Sequence, residues 1–134
     1  MKVHDPGHSY LVNKLAGTKE SATTEVGVDL ISFVKREGEG YPGNVGHHDG
    51  TNCQELIRVL IDRLQYLDNQ IMDPANIHAI ECLRTALLDL EMRAARRHGL
   101  RLPRSISREI ELLPTCLHCG HIVCAMPVWE WPED

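Results

Sequence analysis

Four residues in the middle of the chain have the chemistry to hold a nucleotide-like anion. Tyr66 offers a flat ring, Asn76 an amide that donates and accepts, and Arg93 and Arg97 two guanidinium groups. Stacking of a base on an aromatic ring contributes roughly 1–3 kcal/mol, and a hydrogen bond to a charged group roughly 1.5–3 kcal/mol. Arg93 and Arg97 are four residues apart, so on a helix they share a face. Guanidinium is the group suited to bidentate phosphate recognition. Asn76 also has a plainer role as a helix cap, which its spacing favours. No residue from Gly50 to Arg97 has the makings of an activated nucleophile or a positioned general base. The set suits holding a phosphate ligand rather than transforming it, and no catalytic residue is expected.

A second set lies further on. Cys116-x-x-Cys119-Gly, followed by Cys124, has the form of a zinc knuckle, two thiolates on a tight turn with glycine relieving the backbone. His118 or His121 offers a fourth ligand, and His121 completes the expected set. Such a filled site makes the zinc structural; the alternative is a reduced thiol cluster without metal. No other cofactor is expected. His4, His8, His47 and His48 lack the i, i+4 spacing of a zincin and have no evident carboxylate partner, so solvated loop histidines are expected. Trp129 and Trp131 alternate around Glu130, as in a strand or edge that packs on a partner.

The elements that must position these residues follow from periodicity. Thr51 is a good N-cap, with Gln54 completing a capping box. Ile57, Leu60, Leu64, Leu67 and Ile71 then repeat at helical spacing to about Asn69 or Gln70. Leu56, Val59 and Ile61 widen that face, so this helix needs more than one packing partner. Asp73 caps a second helix with Pro74 at its first position. Ile80, Leu83, Leu87, Leu90 and Ala94 continue the rhythm, and Gly99 closes it. The short turn makes the two helices antiparallel. Tyr66 lies off the apolar stripe, and Arg93 and Arg97 lie at its rim. Before the hairpin, Val26–Arg36 reads as a strand with apolar residues on both faces, both therefore covered, and Ser9–Val12 as a second, weaker strand. Residues 37–44 are turn chemistry. The expectation is an α+β chain: a β region over 1–49, an antiparallel helical hairpin over 50–99 that binds ligand and oligomerises, and a cysteine-rich tail over 100–134.

At 134 residues with a net charge of −5, the chain is not a general coat for DNA or RNA. Its positive charge is concentrated: Arg93, Arg96, Arg97, Arg101, Arg104 and Arg108 have no acidic residue among them. A local cationic patch on an acidic protein suits a small anion, although a basic helix end also complements the helix dipole. Five cysteines, two of them inside helices, do not make a secreted disulfide framework. The start lacks a signal-peptide core and no run is long enough to span a bilayer. A cytoplasmic protein with no membrane partner is expected.

The blocks GTNCQELIRVLIDRLQYLDNQ and PANIHAIECLRTALLDLEMRAARR add something more specific. With their Gly-Thr start, LIDRLQYL core, Asn after the turn and E-x-R-A-x-x-R ending, they resemble the helical hairpin of phage immune-evasion sponges. These are the Thoeris anti-defence sponge and the related anti-CBASS sponge. The resemblance covers roughly residues 3–99 and reaches the β-ribbon of the Thoeris type. It implies an N-terminal antiparallel sheet, a helical hairpin, and homo-oligomers from dimers up to a hexamer. It implies binding of cyclic ADP-ribose isomers made by TIR-domain enzymes, released unmodified on denaturation, with cyclic di- or trinucleotides at separate sites in some members. On this resemblance Tyr66 stacks, Asn76 reads polar edges, and Arg93 and Arg97 hold phosphates. Tyr66 departs from a phenylalanine that can fill its place, which adds a hydroxyl. Thr51 and its neighbours would touch a second cyclic oligonucleotide.

The expected function is thus non-enzymatic capture of a cyclic nucleotide second messenger in an infected bacterial cell. Two alternatives stand beside it. One is a metal-dependent phosphodiesterase, which the missing carboxylate–histidine pattern disfavours. The other is a zinc-bearing structural adaptor that uses the hairpin only to oligomerise.

Overall fold

A computed structural model describes residues 1–19, 26–39 and 45–126. The chain is α+β, with antiparallel strands followed by a helical hairpin. It divides into two units, Met1–Asn52 and Cys53–Asp134.

In the first unit, β1 (Lys2–Asp5), β2 (Ser9–Asn13) and β3 (Val28–Ser32) form an antiparallel sheet in the order β1-β2-β3. Gly7, at φ 79°, supplies the left-handed residue of the tight β1–β2 turn. Five residue pairs, from Ser9↔Ser32 to Asn13↔Val28, join β2 to β3. β4 (Lys35–Glu37) and β5 (Val45–His48) make a separate antiparallel ribbon. The single strand expected over Val26–Arg36 is therefore broken at Phe33–Val34, where Thr51 intervenes. Thr51 N–H donates to the Ser32 carbonyl at 2.8 Å, and Val34 N–H donates to the Thr51 carbonyl at 3.0 Å. A Cβ on neighbouring Gly50 would collide with the backbone of Phe33 and Val34, so only glycine permits this approach. The sheet is not covered on both faces as expected: Val26, Val28 and Leu30 are exposed, whereas Ile31 and Phe33 are half-buried. Strands β1 and β5 lie in stretches with no strong apolar alternation. The Glu37–Asn44 turn falls partly outside the described residues, and Trp129 and Trp131 fall outside them altogether.

The second unit contains α1 (Cys53–Gln70) and α2 (Pro74–Arg97), packed antiparallel. The α2 caps follow the sequence closely. The Asp73 carboxylate accepts from Ala75 N–H at 2.8 Å, Pro74 opens the helix, and Gly99 follows the His98 cap at φ 68°. The start of α1 differs. Thr51 is committed to strand-like pairing, the helix begins at Cys53, and Gln54 is buried rather than closing a capping box.

The buried stripe of α1 is also rotated from expectation. Ile61 is fully buried, with Ile57 and Leu64 packed beside it, while Leu60 and Ile71 are exposed. The seam admits polar residues because each finds a partner. Arg58 reaches Glu91 at 3.4 Å, Gln65 reaches Glu111 at 3.5 Å, and Asp68 accepts from the Asn76 amide at 3.4 Å. A stripe drawn through apolar residues alone skips these positions.

Residues 100–126 belong to the same core as the hairpin. Two short 3-10 turns, Arg104–Arg108 and Ile110–Leu112, pack on α2. Leu102, Ile106, Ile110, Ile122 and Val123 are buried with Ile61, Ile80, Leu87, Ala94 and Ala95. Arg84 fastens this segment through a two-pronged ion pair with Glu111, its Nε lying 3.1 Å from each carboxylate oxygen.

Candidate ligand-binding site

The cross-helix contacts fix where each recognition residue stands. Asp68 faces Asn76 near the turn, and Arg58 faces Glu91 near the open end. Tyr66 and Asn76 therefore belong to the turn end of the hairpin, and Arg93 and Arg97 to its open end. Seventeen residues of helix separate Asn76 from Arg93, about 26 Å at 1.5 Å per residue. Within one chain the four residues do not share a hollow.

Tyr66 is 53% exposed, as its place off the apolar stripe requires. The Arg63 guanidinium lies 5.5 Å from its ring centroid, and Gln70 Nε2 donates to its hydroxyl at 3.0 Å. The ring thus has one cationic neighbour and an anchored hydroxyl. Alongside runs an open groove of about 600 Å³ lined by Arg58, Val59, Asp62, Arg63 and Tyr66. Asn76 is a turn-fastening residue: its amide donates to the same Asp68 oxygen that accepts from Asp73 N–H at 3.0 Å. Thr51 gives both backbone hydrogen-bonding groups to pairing within the first unit.

At the open end, positive groups converge. His121 is held below its usual pKa by burial first, and then by the positive field of Arg97, His98, Arg93 and Arg58. Arg93 is half-buried and Arg97 exposed, which places their heads at the rim of the core. A single fully buried carboxylate, Glu91, lies among these groups. Burial pushes Glu91 above its usual pKa, despite the Ile122 N–H at 2.9 Å and the Arg58 guanidinium that favour its ionised form. Arg58 also pairs with Glu55 at 3.1 Å, and its Nε is buried with no hydrogen-bond partner among the described residues. The Arg58, Arg93 and Arg97 guanidinium groups thus all bear on the one inward-facing imidazole.

The cysteine segment lies beside this end. Cys116 N–H donates to the His121 carbonyl at 3.1 Å, and Gly120 N–H to the Cys116 carbonyl at 2.7 Å. The Cys116 thiol lies below its usual pKa because the Cys119 and His118 backbone N–H groups and the Cys119 thiol favour its thiolate. Cys119 is pushed up to about 12, first by burial and then by its contacts with Cys124 and Cys116. His121 faces inward: Gln54 Nε2 lies 3.2 Å from its Nδ1, and Glu91 lies 4.0 Å away. Sequence reasoning missed His98, whose Nε2 lies 3.5 Å from Cys124 Sγ. Only its position at the α2 cap hinted at proximity to the tail. Among the described residues no three His, Cys, Asp or Glu side chains are gathered in a ready-made metal site.

Two of the four histidines of the first unit have carboxylate neighbours, contrary to expectation. His47 Nε2 lies 3.2 Å from Glu37, and His8 Nδ1 lies 4.0 Å from Asp5. His47 and His48 sit in β5 rather than in a loop. No helix among the described residues is long and apolar enough to cross a membrane. No protein-family model matches the chain, and no curated protein matches it. The geometry itself offers an exposed aromatic platform at one end of a helical hairpin and a cationic cluster at the other.

Proposed function

We propose that this protein captures a cyclic nucleotide second messenger, a cyclic ADP-ribose isomer in the first instance, without altering it, and so starves a bacterial anti-phage effector. The observation that carries this reading is the gathering of the Arg58, Arg93 and Arg97 guanidinium groups about the inward-facing His121 at the open end of the hairpin. The resemblance of the hairpin sequence to phage sponges supports the same reading and supplies the class of ligand.

Capture by stoichiometry needs a dissociation constant near nanomolar, about −12 kcal/mol. One stacked ring and two arginines fall short of that once the cost of association is met. The separation of Tyr66 from Arg93 in one chain supplies the remedy. Two hairpins packed antiparallel set Tyr66 of one copy beside Arg93 and Arg97 of the other, so the ligand is enclosed between copies. Val59 and Leu60, exposed on α1, provide apolar surface for that contact.

The test is thermal melting against a panel of cyclic ADP-ribose isomers and cyclic dinucleotides. At ligand concentrations 100-fold above the dissociation constant, stabilisation of about 2.7 kcal/mol is expected. Arg93→Ala and Arg97→Ala should each abolish that shift while leaving the oligomer intact by light scattering. An unchanged shift in both variants would overturn the assignment.

A further inference from the structure

We propose that Cys116, Cys119, Cys124 and His98 bind one zinc ion, which fastens the C-terminal segment to the end of α2. This stands apart from the nucleotide reading and rests on different residues.

Three tight backbone features converge on these side chains. The first is the Cys116–Gly120 turn, with Gly120 at φ 74° and His118 N–H donating to Cys116 Sγ at 3.4 Å. An amide aimed at sulfur stabilises the thiolate form that a metal requires. The second is the turn closed by Ala125 N–H to the Ile122 carbonyl at 2.9 Å, which carries Cys124. Ile122 and Val123, both buried, anchor it. The third is the C-cap of α2, where Gly99 ends the helix and leaves His98 facing the tail.

The side chains are neighbours in series. Cys119 neighbours both Cys116 and Cys124, and Cys124 Sγ stands 3.5 Å from His98 Nε2. In a tetrahedral site, Zn–S near 2.3 Å and Zn–N near 2.0–2.1 Å set sulfur and nitrogen about 3.5 Å apart. The Cys124–His98 separation fits two ligands on one ion, and without metal it is the length of an S–H···N hydrogen bond. The contacts run as a chain rather than round a common point, so binding exchanges thiol–thiol contacts for metal–sulfur bonds. All three cysteines are free thiols. A soft set of three sulfurs and one imidazole selects zinc over hard cations. The His121 ring is turned inward through Nδ1 to Gln54 and Glu91, whereas His98 Nε2 stands against Cys124 Sγ, and that contact is what assigns His98 as the fourth ligand.

Cobalt titration of the reduced, full-length chain tests this. The expected result is saturation at one equivalent with the visible bands of tetrahedral thiolate cobalt, displaced by zinc. His98→Ala should change those bands and weaken binding by more than the roughly 10–100-fold that loss of an outer-sphere partner costs. His98→Cys should restore affinity with a four-thiolate spectrum, a rescue that a merely structural histidine would not give. His121→Ala should keep the wild-type bands. Absence of saturable binding, wild-type bands in His98→Ala, or no rescue by His98→Cys would each overturn the proposal.

Discussion

At the scale of single residues, the polar groups in the core are the most exacting. Glu111 shows how charge can be kept there. Burial raises its pKa, but the Arg84 hydrogen bonds and the Gln65 amide outweigh burial, and the net effect is a lowered value. The folded-state pKa is thus depressed relative to the unfolded chain. The stabilisation is fully present above the ordinary glutamate value of about 4.3, and it is lost as pH falls through the lower folded value. Urea unfolding of the wild type should therefore show stability declining on the acid side. Glu111→Gln should be less stable at neutral pH and should show a flatter acid decline. A variant with the same decline as wild type would remove Glu111 from that role. Glu91 is the contrasting case. It is fully buried and its pKa is raised, so burial wins over its partners. A carboxylate held there at such cost ties Arg58 of α1, the Ile122 amide of the tail and the inward face of His121 into one cluster.

At the scale of elements, the rotated stripe of α1 gives a direct test of the packing. Ile61→Ala removes a fully buried side chain and should cost about 2–5 kcal/mol, whereas Leu60→Ala, half exposed, should change stability of the isolated chain by about 0.5 kcal/mol or less. Chemical denaturation of both variants checks this; equal losses would mean that Leu60 also lies in the seam. The same helix shows what the sequence can and cannot reveal. The ends of α2 are legible because capping is local: Asp73, Pro74 and Gly99 act on backbone groups within a turn of themselves. The stripe of α1 is not legible. Arg58 and Gln65 take half-buried places in the seam only through Glu91 and Glu111, which lie 33 and 46 residues away. Strand-like use of Thr51 likewise depends on Ser32 and Val34. Among the site residues, exposure of Tyr66 follows from the helical wheel, whereas Asn76 is no cap: Asp73 takes that place, and the Asn76 amide donates across the turn to Asp68. His98 was hidden because its contact with Cys124 spans 26 residues of chain.

At the scale of the whole molecule, the proposed capture depends on what one hairpin leaves incomplete. The aromatic platform and the cationic cluster stand at opposite ends of the same two helices, and an apolar strip with Val59 and Leu60 remains exposed along α1. Each is unremarkable in one chain. On the proposed reading they are half of a site, completed when a second copy is turned end for end. Such an enclosure would hold a nucleotide by geometry and charge. The most direct measurement is to saturate the protein with a cyclic ADP-ribose isomer, remove free ligand by filtration, denature by heat and analyse the supernatant. Recovery of the intact cyclic compound, in a fixed ratio to protein chains, is the predicted result. A linear product, or no retained ligand across the panel of cyclic nucleotides, would contradict capture.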